Sequence, residues 1–406
     1  MNKAQTHFEN KVKTFLEKDF YFTKHEISIL WAITSILIGS KNFSLSEVSR
    51  IYGRKIGRNL CAQTLKKFSY VQERIVERFL NEVISTGTGK TNWYIVIDDT
   101  LVNKTGKTIF RSFKWYDHTV HKQIQAIGLV TLVLVMNNHP VFFMPFILSS
   151  PKQDRFYAKT PDQQQGMKAQ ASQSMLSYVI TYLISHNVSK EQISVEADSW
   201  YGTKKMRRFI DGFEVNYRLD GKNNLSIEIP DLESIKQANE VRRGPKRKNF
   251  MKNVKITSYF GPCGTWNSFL DLQSESRIYF KMAQVNLKKG GQSLVYAFWD
   301  ERYQNPKFIL TNVKRIRRSS SKTIYYQYQL RWIIEVCHRQ LKQEFGLGKS
   351  KNRDAWVVSG FIGFVCLIFS IWCFQQHNDM KTGKEIVCCP TWAKEFHKAQ
   401  IILLEG

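Results

Sequence analysis

Over roughly the first 88 residues, apolar positions recur every three or four residues, and Ile27, Leu30, Trp31, Ile33, Leu37 and Ile38 fall on one broad face. That is the period of a helix laid on a core. A second helical run goes from Arg58 through Phe68, after Ser46 as a possible cap and Gly53 as a possible turn. The pair fits a helix-turn-helix, with Arg58, Asn59, Gln63, Lys66 and Lys67 on the helix entering a major groove, or an ordinary helical hairpin. The period then changes at Trp93-Tyr-Ile-Val-Ile-Asp-Asp-Thr100, a nearly continuous apolar run ending in two carboxylates, which predicts a buried strand. Ile124–Met136 and Val141–Leu148 predict neighbouring strands around the turn signal Asn137-Asn138-His139-Pro140.

A Gln- and Ser-rich helical stretch, Gln163–His186, leads into Gln192-Ile-Ser-Val-Glu-Ala-Asp198, a strand that again ends in a carboxylate. Strand, helix, strand implies a mixed sheet. From Phe213 to about Asn305 the pattern is alternating and turn-rich, as in Val254–Phe260 and Ser276–Met282, which predicts an inserted β-rich subdomain with Arg242–Lys248 as an exposed basic loop. Lys307–Asn312 predicts a last strand, Lys314–Lys322 a basic linker, and Thr323–Glu344 one long helix. Ala355–Phe374 is twenty residues without a charge. Its length permits a membrane span, but Ser359, Gly360, Gly363 and Ser370 interrupt it, and a helix apolar all round also suits the interior of a large domain; the buried helix is the expectation.

The balance of 60 Lys and Arg against 34 Asp and Glu gives a formal net charge of +26. A chain so basic favours a polyanion, and DNA or an anionic membrane surface both qualify. With 43% hydrophobic and 13% aromatic residues it is globular rather than disordered. Its seven cysteines include no Cys-x-x-Cys pair, and the first residues have no apolar run of signal-peptide type, so reduced thiols and a cytoplasmic protein are expected. A Walker-type phosphate loop, a Gly-x-Ser-x-Gly elbow and zinc-spaced His/Cys groups are all missing from the sequence.

Two acids at strand ends and one on a helix would suit hard divalent cations, which prefer carboxylate oxygens, and two such ions support in-line displacement at a phosphodiester. In the long helix, Tyr328, Arg331, Glu335 and Lys342 are offset by 3, 7 and 14 residues. On a continuous helix those offsets fall within a stripe of roughly 60°. One face then carries a carboxylate with a phenol and two cations able to neutralise phosphates; a solvated helix with incidental charges has the same spacing. His338, one turn beyond Glu335, reads as a surface histidine.

These four residues match the Y-R-E-K signature of bacterial insertion-sequence transposases with a DDE triad, and the chain resembles that family in three further landmarks. Ile97-Asp98-Asp99-Thr100, Ala197-Asp198-Ser-Trp-Tyr-Gly202 and the gap before Glu335 occur in the family's order. The resemblance implies an α/β fold with an RNase H-like mixed-sheet core, a β-rich insertion and an N-terminal helical domain. It divides the chain into a helical DNA-binding region (1–88), a first core part (89–212), the insertion (213–305), a second core part with the Y-R-E-K helix (306–377) and a tail (378–406). It implies Asp98, Asp198 and Glu335 as catalytic residues and ligands of two Mg2+, with Mn2+ able to substitute. Adjacent strand residues face opposite ways, so only one of Asp98 and Asp99 can serve; the Asp-x-Thr pattern favours Asp98.

As DNA contacts the resemblance and the local charge suggest Tyr328, Arg331, Lys342, Lys104, Lys107, Lys204, Lys205 and Arg207, a solvated basic surface being the competing reading. Phe308 is where an aromatic side chain would receive a flipped base, although a strand Phe is more often core. The implied activity is cleavage of transposon ends and strand transfer into target double-stranded DNA, by a homodimer formed on DNA. A transposase-derived DNA-binding protein without catalysis, and a metal-dependent nuclease of the same fold, are the alternatives.

Overall fold

The computed structural model describes residues 3–18, 21–39, 44–52, 56–104, 112–117, 120–148, 161–231, 251–261, 265–271, 275–288, 291–303, 305–313, 321–350 and 352–383. They form two compact units, one from the described residues of 3–188 and 332–383, the other from those of 189–331.

In the first unit four helices, α1 (Lys3–Glu17), α2 (Lys24–Gly39), α3 (Leu45–Tyr52) and α4 (Arg58–Ser85), precede four strands. These are β1 (Trp93–Asn103), β2 (Ser112–Asp117), β3 (Lys122–Met136) and β4 (His139–Ile147), followed by α5 (Pro161–Ser185). β3 is the central strand, antiparallel to β1 along one edge and to β2 and β4 along the other. The β3–β4 turn is Asn137-Asn138, with φ of 47° and 70°, the left-handed pair that a tight two-residue hairpin requires. Within β1 the residues Trp93–Ile97 are all buried, because both faces of the strand are covered.

The apolar stretch expected as a buried helix is α10 (Ala355–Lys381), with Val357 and Val358 and every residue of 360–374 buried. By length and composition it would cross a membrane, but here its surface is spent on packing. Phe364 meets Phe68 of α4 edge-on at 5.2 Å, Phe374 meets Phe79 at 5.8 Å, and Phe369 meets Phe143 of β4 at 5.9 Å. Gly360 makes the α4 crossing possible, since a Cβ there would lie 1.8 Å from the Leu65 carbonyl oxygen. Phe8 of α1 closes on Trp372 at 4.9 Å, so the N-terminal helices share one core with the strands.

The second unit begins with β5 (Ile193–Ala197), α6 (Lys204–Asp211) and β6 (Asn216–Gly221). β5 and β6 are parallel, Ala197 opposite Leu219. The strands β7 (Ser226–Pro230), β8 (Met251–Lys255), β9 (Asn267–Asp271), β10 (Ser276–Leu287), β11 (Gly291–Asp300) and β12 (Lys307–Thr311) follow, with a single turn of helix, α7 (Ile256–Tyr259), after β8. The β-rich stretch does not form a sheet of its own: β12 pairs with β6 and with β11, β11 with β10, and β10 with β7 and β9. Antiparallel strands, a helix, then a parallel pair give the chain its mixed α/β order.

The helix expected over 323–344 is two helices. α8 (Ser321–Gln329) ends in the second unit and α9 (Trp332–Gln343) begins the return to the first. Leu330 N–H donates to the Gln327 carbonyl and Arg331 N–H to that of Tyr328, at 3.1 and 3.0 Å. These i to i+3 bonds tighten the last turn and end the helix. The single stripe drawn through Tyr328, Arg331, Glu335 and Lys342 therefore does not exist; the motif is split after Arg331.

Candidate active site

In the first unit the site is built on β1 and α9. Asp98 lies opposite Thr131 in the β1–β3 register, so the two side chains share one face, as does Thr100 two residues on. That face meets α9. The Thr131 hydroxyl, fully buried, donates to the Asp98 carbonyl at 3.0 Å and lies 2.6 Å from Nε2 of His338. With its one proton spent on the carbonyl, it accepts from His338, which fixes the imidazole with its proton on Nε2. Burial, with a smaller push from Lys342, holds His338 down to about 3, so it is neutral. One turn further, Lys342 Nζ donates to Thr100 Oγ1 at 2.6 Å. Burial lowers the Lys342 pKa, and the charges of Asp117 and Asp98 oppose that.

Glu335, His338 and Lys342 are spaced 3 and 7 residues apart on α9 and form one stripe. Glu335 therefore lies on the side of α9 that His338 and Lys342 turn towards the sheet. It stands in the first turn of α9, where the helix dipole favours a carboxylate. Asp99 points the other way and pairs with Lys168 of α5 at 2.5 Å. Asp98 Oδ1 accepts from the Asp99 N–H at 2.8 Å.

The second unit holds Asp198, just past β5. Its Oδ1 accepts from Trp200 N–H at 2.9 Å and its carbonyl from Tyr201 N–H at 3.1 Å, a turn that an aspartate favours. Gly202 closes the turn onto β6, where a Cβ would lie 2.6 Å from the Asp220 carbonyl. Thr203 then caps α6, accepting from Met206 N–H at 3.3 Å. The acid that sequence reasoning missed is Asp220. Burial and the Asp198 charge raise its pKa, whereas Lys307 and Arg331 oppose that rise. Tyr328 is 1% exposed, burial and the Asp220 charge push its phenol well up while Arg331 opposes them, and Lys307 Nζ stands 5.5 Å from its ring centre. Asp220-Gly221 resembles an ordinary strand end, and only the strand pairing reveals it.

Four residues expected at a DNA surface are buried. Tyr328 is one. Phe308 is 0% exposed in a core with Phe260, Val295 and Leu310, so stacking a base would require opening that core. Arg207 shares the inner side of α6 with Met206 and Ile210 and faces Tyr217. Lys104 donates to the carbonyls of Gly348 and Ser350 at 2.9 and 2.8 Å, and burial lowers its pKa to about 8; it ties β1 to the segment after α9. Lys205 and Arg208 are exposed, Lys204 and Arg331 half-buried. Lys107 lies outside the described residues. In α4, Arg58, Asn59 and Gln63 are exposed, while Lys67 is committed to Glu26 at 2.8 Å. His338, expected at the surface, is inside because the same stripe that carries Glu335 is packed on β1.

Carboxylates are the right donors for a hard divalent cation. Among the described residues, however, no group of three His, Cys, Asp or Glu side chains is disposed to hold a metal ion. Asp98 and Glu335 belong to the first unit and Asp198 to the second.

Residues 65–265, about half of the chain, match the family model described as DDE superfamily endonuclease. The match includes Asp98 and Asp198 and stops before the Y-R-E-K residues. No curated protein is similar enough to count as a match. Among solved structures the chain is similar to the piggyBac transposase synaptic complex with hairpin DNA, determined by cryo-EM, at 11% identity and a TM-score of 0.45, over 100% of this chain and 77% of that one. So slight a likeness adds nothing to the reading of the site.

Proposed function

We propose that this chain is a DDE-type DNA transposase of a bacterial insertion sequence, which cuts the element's ends and joins the freed 3′-hydroxyl to target double-stranded DNA. The observation that carries the reading is the α9 stripe: Glu335 lies on the turn before His338 and Lys342, of which the first is fastened to Thr131 of β3 and the second to Thr100 of β1, on the sheet face that bears Asp98. The family match over Asp98 and Asp198 supports the same chemistry.

In this reading Asp98, Asp198 and Glu335 hold two Mg2+, with Mn2+ able to replace them, and the bound ions supply the charge that in-line displacement at a phosphodiester needs. Asp98 rather than Asp99 is the ligand, because Lys168 already neutralises Asp99. Lys342, half-buried and acted on by the Asp117 and Asp98 charges, balances the carboxylates when phosphate approaches. Arg331, Lys204 and Lys205 draw the DNA backbone in. Two ends must be held at once, so the working form is a homodimer on DNA, acting in the cytoplasm.

Purified protein incubated with a terminal-repeat duplex and Mg2+ or Mn2+ should cleave it, and Glu335→Gln should lower the rate by several orders of magnitude, on the order of 10³-fold or more. Equal cleavage by both proteins would remove Glu335 from its role. A wild-type chain that binds ends without cutting them is the catalytically inert DNA-binding protein instead. One that cuts without joining is a nuclease.

A further inference from the structure

We propose that Lys104 is a positioning residue for the cleavage reaction: by gripping two carbonyls beyond the end of α9 it sets where Lys342 stands on β1; this rests on the role given to Lys342 above. Alternate residues of β1 face one way, so Asp98, Thr100 and Lys104 share a face. Lys104 N–H donates to the Gln125 carbonyl at 2.7 Å and so continues the β1–β3 ladder past Asn103. α9 and the chain after it are fastened along that face in order. His338 meets Thr131, which lies opposite Asp98, Lys342 Nζ donates to Thr100 at 2.6 Å, and Lys104 Nζ donates to the carbonyls of Gly348 and Ser350 at 2.9 and 2.8 Å. Lys104 stands six residues past Asp98, about 20 Å along an extended strand, too far to touch the reacting atoms.

The last fastening is an internal one, since Lys104 is 7% and Ser350 6% exposed. The chain between Lys342 and Ser350 is bonded to itself. Gly346, with φ of 63°, closes α9, Leu347 N–H donates to the Leu341 carbonyl at 2.9 Å, and Lys349 N–H donates to that of Gly346 at 2.8 Å. A segment so bonded shifts as one piece, and a shift at Gly348 is passed back to the last turn of α9, which carries Lys342. Phe345 anchors the piece to α10, 5.3 Å from the Phe369 ring, and Lys104 anchors it to β1. An apolar side chain at 104 would take the ammonium away from both carbonyls, and the piece would have to move to offer them another donor.

The test is single-turnover cleavage of an end duplex by the full chain, at saturating DNA and well below every unfolding midpoint, with duplex affinity measured over a range of salt. Lys104→Met nearly keeps the length of the side chain and removes the donor; Lys104→Gln, an amide donor on a shorter stem, serves if methionine prevents folding. The rate should fall about 10–100-fold, the scale of a small displacement at a reacting group, while affinity and its salt slope stay as in the parent. In a Thr100→Val background, where Lys342 has already lost its acceptor, the same substitution should change the rate by no more than about threefold. Three results would each overturn the proposal: an unchanged rate, the full loss repeated in the Thr100→Val background, or weaker binding with a salt slope smaller by about one, the mark of a phosphate contact. If the parent cuts no DNA, the transposase reading fails separately, and hydrogen exchange decides the fastening: the amides of Leu347 and Lys349 should exchange at least about tenfold faster in the variant, and exchange like the parent's removes it.

Discussion

Thr131 joins the two elements that carry Asp98 and Glu335, and Thr131→Val is the substitution that isolates this link. Valine keeps the volume of a side chain that is 0% exposed and deletes only the hydroxyl. Two bonds go with it, the 2.6 Å contact to His338 and the 3.0 Å bond to the Asp98 carbonyl. A hydrogen bond contributes about 1 kcal/mol net, and a buried polar group stranded without its partner costs about 1–3 kcal/mol. The buried His338 loses its acceptor beside the Phe143 ring, so the total comes to about 2–4 kcal/mol, or about 5–15 °C in the unfolding midpoint of a unit this size.

Catalysis should fall further than folding does. α9 is registered on β1 through this contact and the Lys342–Thr100 bond, and a displacement of about 1 Å at a reacting group is worth up to about 100-fold in rate. Cleavage of an end duplex, measured well below the midpoint where every molecule is folded, should therefore drop about 10–100-fold. Thr131→Ser, which keeps the hydroxyl and loses a methyl group, should restore most of the rate at a stability cost of about 1 kcal/mol. If valine were as active and stable as the parent, or serine as poor as valine, the hydroxyl would have no part in holding the two elements together.

Acid should destabilise the fold before the carboxylates titrate. Burial holds His338 at about 3 and His139 and His377 at about 4, against 6.5 when unfolded, with Lys342 adding to the first and His139 and Lys381 to the last. The unfolded chain thus binds protons that the fold refuses between about pH 6.5 and 4, and stability should fall with pH by up to about 4 kcal/mol per unit there. Glu196, pushed up by burial against the pull of its ion pair with Arg218, binds its proton more tightly in the fold than unfolded and offsets part of that slope. Urea unfolding at pH 7.5, 6 and 5 checks this, and a flat profile would contradict neutral buried histidines. Gly202→Ala must push the turn after Asp198 off the Asp220 carbonyl, and should cost about 1–3 kcal/mol and a large part of the cleavage rate; a variant with the parent's midpoint and rate would show that the turn has room to spare.

The strands were readable because each is an apolar run with its own punctuation. Trp93–Asp99, the Asn137-Asn138 hairpin and Ile193–Ala197 lie within two or three residues of where alternation and turn chemistry put them. The α10 core helix was legible from composition, though only the Gly360 contact with Leu65 explains why small residues interrupt it. What stayed hidden depends on partners distant in sequence. Lys104, Arg207 and Tyr328 carry polar groups that no periodicity would send inside; each is buried by an acceptor or a neighbour more than a turn away, such as the Gly348 and Ser350 carbonyls for Lys104. The break after Gln329 was illegible for a related reason, because no Gly or Pro marks it. Asp220 became visible only once β6 was paired with β5.

The break also changes what the Y-R-E-K spacing means. Offsets of 3, 7 and 14 suggest a single helical face, yet Tyr328 and Arg331 serve the unit that holds Asp198 and Asp220, whereas Glu335 and Lys342 serve the unit that holds Asp98. In one unit Lys307 and Arg331 act on Asp220, and in the other Asp98 and Asp117 act on Lys342. Substitutions should accordingly couple strongly inside a unit, as Thr131 with His338, and add independently across the two in the absence of DNA and metal. Coupling between Arg331 and Lys342 that emerges only when Mn2+ and an end duplex are added would mark the ligand set as something the substrate completes.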